Sequence, residues 1–157
     1  MIKKVLIVIV IILIVIILYF YFNKDRYILD GDGMIYEKVN EIVIVIGDHE
    51  YNLQLEDNDS VYELMNKLDE KDISLSLRDY GGFEKVGDLG FSLSSSDKRI
   101  KTEYGDVVLY QGNQLVLFYG SNTWEYTRIG HILNITEDEL RNILGDGEVS
   151  IILRKGD

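Results

Sequence analysis

The sequence predicts a mainly-β protein: a closed β-barrel of about eight strands with two short helices, preceded by one transmembrane helix. Three observations predict it. Short runs of β-branched and aromatic residues recur along the chain, among them Ile42–Ile46, Ile73–Leu77, Val107–Tyr110 and Leu115–Tyr119. Beyond residue 40, helical spacing appears only twice, once after the second strand and once before the last. That pattern suits a barrel with helices over its ends. Third, Val5–Phe22 is an unbroken apolar run, VLIVIVIILIVIILYFYF.

As a helix that run spans about 27 Å at about 1.5 Å per residue, close to the roughly 30 Å hydrocarbon core of a bilayer. Tyr19, Phe20, Tyr21 and Phe22 stand at one end, where aromatic rings prefer the interface. The residues that follow are Asn23-Lys24-Asp25-Arg26, with no small-residue cleavage site. We therefore read residues 1–26 as an uncleaved signal anchor. Lys3 and Lys4 precede the span, while Asp25 partly offsets Lys24 and Arg26 after it. The positive-inside rule then favours a single-pass protein of the cell membrane with its domain outside the cytoplasm. The span has no glycine and no polar residue before Tyr19, so it reads as a tether.

Residues 27–40 read as a juxtamembrane stalk. Asp30-Gly31-Asp32-Gly33 begins like a calcium loop, but Met34 and Ile35 occupy the positions that need a third ligand and a glycine. A polar turn explains it.

Residues 41–157 form the barrel domain. Ile42–Ile46 is the first strand, Gly47 to Glu50 a turn, and Tyr51–Glu56 the second strand. Asp57-Asn58-Asp59-Ser60 is a helix-capping cluster, followed by Val61, Leu64, Met65 and Leu68 at helical spacing, with an end near Asp69. Ile73–Leu77 alternates as a strand with one solvated face. Asp79–Lys98, rich in glycine and serine, reads as a long surface excursion of the kind that often carries function. Ile100–Glu103 leads into the hairpin Val107–Tyr110 and Leu115–Tyr119, whose turn is assigned to Gly112-Asn113. Tyr126–Ile132 is a strand interrupted by Gly130, which marks a bulge or a close backbone approach. Thr136 and Glu139 have capping-box spacing, opening a helix that Gly145 ends. Val149–Leu153 is the final strand.

The chain of 157 residues suits one domain, and it contains no cysteine and no proline. Its net charge of −11 argues against nucleic acid as a partner. The expected partners are the membrane, through residues 5–22, and a small molecule or peptide segment. His49 and His131 lack spacing to a second metal ligand, so no metal and no cofactor is expected. Sequons at Asn58 and Asn134 coincide with helix caps. No phosphate-binding loop, dinucleotide fingerprint or nucleophile elbow appears.

Trp124, Tyr126 and Arg128 alternate, so a strand puts them on one face, with Tyr119 and Asn122 just before them. One reading is a cleft with an aromatic floor and a guanidinium for a carboxylate or carbonyl. The other is a barrel core in which Arg128 pairs with Glu84 or another carboxylate. Arg128→Ala would then cost about 3–5 kcal/mol. Glu84 and Lys85, in the glycine-rich excursion, read either as site residues or as a surface ion pair.

At EKVGDL (84–89), GDVVLY (105–110) and SNTWEYTRIG (121–130), the sequence resembles the bacterial and archaeal cyclophilin-like fold proteins. The resemblance covers Ile42 to Leu153 and implies an eight-stranded barrel. These proteins often carry proline after the GDL motif, where this chain has Gly90. The Phe-His-Arg and Phe-Met-x-Gln-Gly-Gly-Asp segments of true cyclophilins are not found. Three functions follow as expectations. The first is a membrane-anchored domain binding a small ligand or peptide at Tyr119, Asn122, Trp124, Tyr126 and Arg128. The second is a divergent prolyl isomerase using Arg128 to polarise the imide. The third is a structural or interaction module without a site. A site requires Trp124 and Arg128 to line an open concavity.

Overall fold

The computed structural model describes residues 2–22, 27–29, 35–37 and 41–156, with side chains at 9–19, 21 and 41–156. The chain divides into two units, residues 1–39 and 40–157.

In the first unit, helix α1 runs unbroken over Ile2–Phe22. Ile9–Tyr19 and Tyr21 are all exposed. Among the described residues no helix is long and apolar enough to cross a membrane; on α1 the described side chains run only over 9–19 and 21. The expected stalk holds a short antiparallel ribbon, β1 (Tyr27–Leu29) on β2 (Ile35–Glu37). The Asp30–Gly33 turn lies outside the described residues.

The second unit is a closed barrel. Its strands are β3 (Ile42–Ile46), β4 (His49–Leu55), β5 (Ile73–Tyr80), β6 (Glu84–Asp88), β8 (Asp106–Tyr110), β9 (Gln114–Phe118), β10 (Thr123–Ile132) and β11 (Glu148–Lys155), and β7 (Lys98–Lys101) is appended. The order is β4-β3-β11-β5-β6-β9-β8-β10, and the β4–β10 pairing closes the ring. All of these pairs are antiparallel. Closure satisfies the hydrogen-bonding groups that an open sheet edge would leave unpaired. β7 sits outside the ring on the first half of β10, and its Lys98, Arg99 and Lys101 keep that edge charged and exposed.

The core follows from alternation along the strands. Val107, Leu109, Leu115, Leu117 and Ile129 point inward and are fully buried. Each such side chain contributes about 1.5–3 kcal/mol of burial. Val61, Leu64, Met65 and Leu68 of helix α2 (Asp59–Glu70) join the same core, as do Leu140 and Leu144 of helix α3 (Glu137–Leu144). Asn58 caps α2 by accepting from the Val61 N–H at 3.1 Å. Thr136 and Glu139 form the capping box of α3. Asn134 is not a cap; it stands two residues before Thr136 in the left-handed region, with φ 56°.

Three expectations are corrected. The excursion Asp79–Lys98 is not a surface loop, because its first half is completed by β5 and β6, a barrel stave. Its second half is tied down: Leu89 and Leu93 enter the core, and Ser94 donates to Glu63 on α2 through its N–H at 2.7 Å and its hydroxyl at 2.5 Å. Glycine-rich composition hid a strand that is short and polar on one face. The β8–β9 turn is centred on Gln111 and Gly112, with φ 51° and 75°, rather than Gly112-Asn113. Asn113 instead donates its N–H to the Tyr110 carbonyl at 3.3 Å, closing the tight turn. The first hairpin turn shortens to Gly47-Asp48, so His49 begins a strand.

Gly130 meets both expectations made of it. The β10–β8 register shifts between Arg128 and Gly130. A Cβ there would lie 2.5 Å from the Gln54 carbonyl oxygen across the β4–β10 seam. Only a residue without a side chain lets the barrel close at that point.

Candidate functional site

The inward pattern of the strands has an outward complement. Glu84 and Val86 on β6, Gln114 and Val116 on β9, and Tyr110 on β8 all point away from the core. The register sets Val116 between Val86 and Val108, and Gln114 beside Tyr110. β10 pairs with β8 only from Thr127 onward; from Tyr126 back to Thr123 it pairs with β7. Trp124 and Tyr126 therefore stand on a segment that has left the barrel wall. The result is an outer cleft of about 360 Å³, walled by Tyr80, Tyr110, Trp124 and Tyr126, with Val86 and Val116 among its apolar lining.

The aromatic wall is ordered by packing. Tyr126 meets Tyr110 edge-on at 5.8 Å and Phe118 at 5.5 Å between ring centroids. Asn122, also lining the cleft, donates to the Tyr126 hydroxyl at 3.0 Å. Trp124 is 52 % exposed, which leaves an indole open to solvent at the cleft mouth.

Glu84 is the charged member. It is only 5 % exposed, and its Oε2 has no hydrogen-bond partner. Burial pushes its carboxyl up to about 7, and a hydrogen bond with Tyr126 draws it partly back. Burial, and then the charge of Glu84, raise the Tyr126 phenol above its ordinary value. A buried acid poised near neutrality in an aromatic concavity is a pattern found at functional sites.

The model of the cyclophilin-like family matches residues 44–154. The chain belongs to the cyclophilin-like family. The solution structure of a hypothetical protein from Archaeoglobus fulgidus superposes with a TM-score of 0.56 at 18 % identity, over 74 % of this chain and 95 % of that one. At that identity the likeness concerns the fold alone. No curated protein matches the chain. The departure at Gly90 has a physical counterpart in this cyclophilin-like domain: Gly90 has φ +78°, which proline, locked near −65°, could not adopt.

Of the residues singled out from sequence, the cyclophilin-like barrel brings Glu84, Asn122, Trp124 and Tyr126 to the cleft. It sends the others elsewhere. Lys85 points inside the barrel, fully buried. Its ammonium donates to Asp79 at 2.9 Å and to the carbonyls of Gly145 and Gly147 at 2.8 Å each. Tyr119 belongs to the same cluster, donating to Asp79 at 2.7 Å. Burial, then that bond, push its phenol up to about 12, while Asp79 is held below its ordinary value by Tyr119 and Lys85. Glu84 and Lys85 are thus no surface ion pair. Adjacent residues on a strand face opposite sides, and here both sides are buried.

Arg128 shares the outer face but lies outside the cleft. It donates to Asp106 at 3.0 Å and to the Lys101 carbonyl at 3.0 Å. Asp106, 2 % exposed, also bonds His131 Nδ1 at 2.9 Å and accepts the Glu103 N–H at 3.1 Å. Arg128 therefore pairs with a carboxylate, Asp106 rather than Glu84, but it does so partly exposed on the outer face and not in the barrel core. The concavity expected to hold both Trp124 and Arg128 thus holds Trp124 alone, and the guanidinium that an isomerase reading needs is not among the groups lining the cleft.

Tyr80, Tyr110, Val86, Gln114 and Val116 also line the cleft and were not singled out. Alternation along the hairpin contains the signal for Gln114 and Val116. Nothing in the sequence points to Tyr80, because EKVGD carries no strand signal that would set β6 beside it. Among the described residues no group of three or more histidine or acidic side chains could hold a metal ion.

Proposed function

We propose that this chain is a membrane-tethered cyclophilin-like domain that binds a small ligand or peptide segment in the outer cleft. The observation that carries the reading is the buried, unpartnered Oε2 of Glu84, a residue that lines a concavity together with the exposed ring of Trp124. A polar group kept buried without a partner is costly, and ligand sites are where such groups are kept. Trp124 is the chain's single tryptophan, so its fluorescence reports directly on the cleft. Ligand screening by Trp124 fluorescence, on the full-length protein in nonionic detergent, should find saturable compounds. Compounds that bind without moving that signal would place the site elsewhere.

The tether is supported by the apolar run Val5–Phe22, its helical form and the exposure of Ile9–Tyr19. The charges flanking it favour an extracytoplasmic domain. Alkaline washing of membranes from expressing cells should leave the protein in the pellet. Release into the supernatant would overturn the tether.

A further inference from the structure

Among the described residues Glu84 is the only charged side chain lining the outer cleft, with no lysine, arginine or histidine beside it. Its Oε2 is unpartnered although the residue is 5 % exposed. Four of the other lining residues are aromatic. A carboxylate buried this way is strongly destabilised unless positive charge reaches it. Aromatic rings attract cations through their quadrupole, more strongly where water is excluded. A volume of about 360 Å³ lies at the small end of ligand sites and suits a compact head group. The net charge of −11 favours the approach of cations and disfavours that of anions.

We propose that the cleft binds an alkylammonium group, held against the Glu84 carboxylate and walled by Tyr80, Tyr110, Trp124 and Tyr126. The proposal rests on the reading of the cleft as a ligand site. It differs from an alternative in which protonated Glu84 donates to a neutral carbonyl, and the two respond to pH with opposite signs. Because burial holds the Glu84 carboxyl at about 7, a bound cation must displace its proton. Affinity for the cation then rises about tenfold between about pH 6 and about pH 8, whereas affinity for a carbonyl falls. The other titratable side chains lining the site are Tyr80 from β5, Tyr110 from β8 and Tyr126 from β10; β9 contributes only Gln114 and Val116. None of these supplies positive charge.

The test uses the full-length protein in nonionic detergent and follows Trp124 fluorescence. The probes are choline, its neutral carbon isostere dimethylbutanol, a blocked lysine amide and a blocked proline peptide. We expect saturable binding of choline or the blocked lysine, about tenfold tighter than dimethylbutanol and strengthening with pH. The better of the two distinguishes a free quaternary ammonium from a polypeptide lysine as the source of the cation. Glu84→Gln should abolish both the preference and the pH dependence. Tyr80→Leu, at a position 66 % exposed and so safe for folding, should weaken the ammonium about threefold more than dimethylbutanol. Equal binding of choline and dimethylbutanol, preference for the proline peptide alone, or affinity that falls with pH would overturn the ammonium while leaving the cleft a ligand site. Silence from every probe, in protein with an unchanged melting transition, would overturn both.

Discussion

Glu84 and Lys85 are neighbours in the chain and opposites in the structure. Both are buried and both sit on β6. Lys85 faces the barrel interior, where Asp79 and two carbonyls use all three of its ammonium donors. Glu84 lines the outer cleft with one buried oxygen unpartnered. The saturated charge fastens the β5–β6 hairpin to the loop after α3 and has no capacity left for a ligand. The unsaturated one bonds Tyr126 through one side and leaves its Oε2 without a partner. Burial alone therefore does not separate a structural charge from a functional one; the number of partners does.

The largest effect should come from the saturated side. Lys85→Ala removes the donors of the Gly145 and Gly147 carbonyls and leaves a void among buried groups. We expect a loss of about 3 kcal/mol in urea unfolding, the low end for a broken buried pair. Asp79 moderates the loss because it is partly exposed and keeps its bonds from Tyr119 and Gly147. A loss under about 1 kcal/mol would show the cluster to be incidental to stability. Gly130→Ala should cost about 2 kcal/mol in the same measurement, because the new Cβ meets backbone at the closing seam and backbone yields poorly.

The unsaturated side predicts the opposite sign. The folded state raises Glu84 from 4.5 to about 7, so between those values the folded protein holds more protons than the unfolded one. Stability then falls as pH rises through that window and levels off above it. Glu84→Gln should flatten this profile and stabilise the protein by about 1–2 kcal/mol at about pH 8, with little change at about pH 4. Parallel profiles for the two proteins would show that Glu84 has a partner in solution, and the contrast with Lys85 would collapse.

Arg128 supplies the smallest expected change. It is partly exposed, and Asp106 would retain His131 and the Glu103 N–H without it. Arg128→Ala should cost about 1 kcal/mol, below the 3–5 of a stranded pair. Its ligand affinity at the cleft should stay as in the unaltered protein, read by Trp124 fluorescence. A fall in affinity comparable with that of Glu84→Gln would bring the guanidinium back into the site.

Much of the barrel was legible because its signals are local. Alternation in Ile73–Leu77, the Thr136–Glu139 capping box and the unavoidable glycine at 130 each depend on residues close in sequence. β6 was not legible, since EKVGD has little β-propensity and owes its form to β5 and β9 on either side. That one omission moved Glu84 and Lys85 onto an imagined surface and concealed Tyr80. On β10, strand periodicity placed Trp124, Tyr126 and Arg128 on one face, but periodicity does not say where a face divides. The change of partner from β8 to β7 divides it, leaving two of the three at the cleft and turning the third to Asp106.

By itself, the sequence determined the closed mainly-β architecture, the two capped helices of the domain and the apolar N-terminal run. These follow from hydrophobic periods, turn chemistry and capping, which act over a few residues. Tertiary structure alone decided which buried charges are spent and which remain open. That depends on partners distant in sequence, such as Asp79 and Gly145 for Lys85, and on the lack of a partner for the Glu84 Oε2, which no spacing of residues encodes.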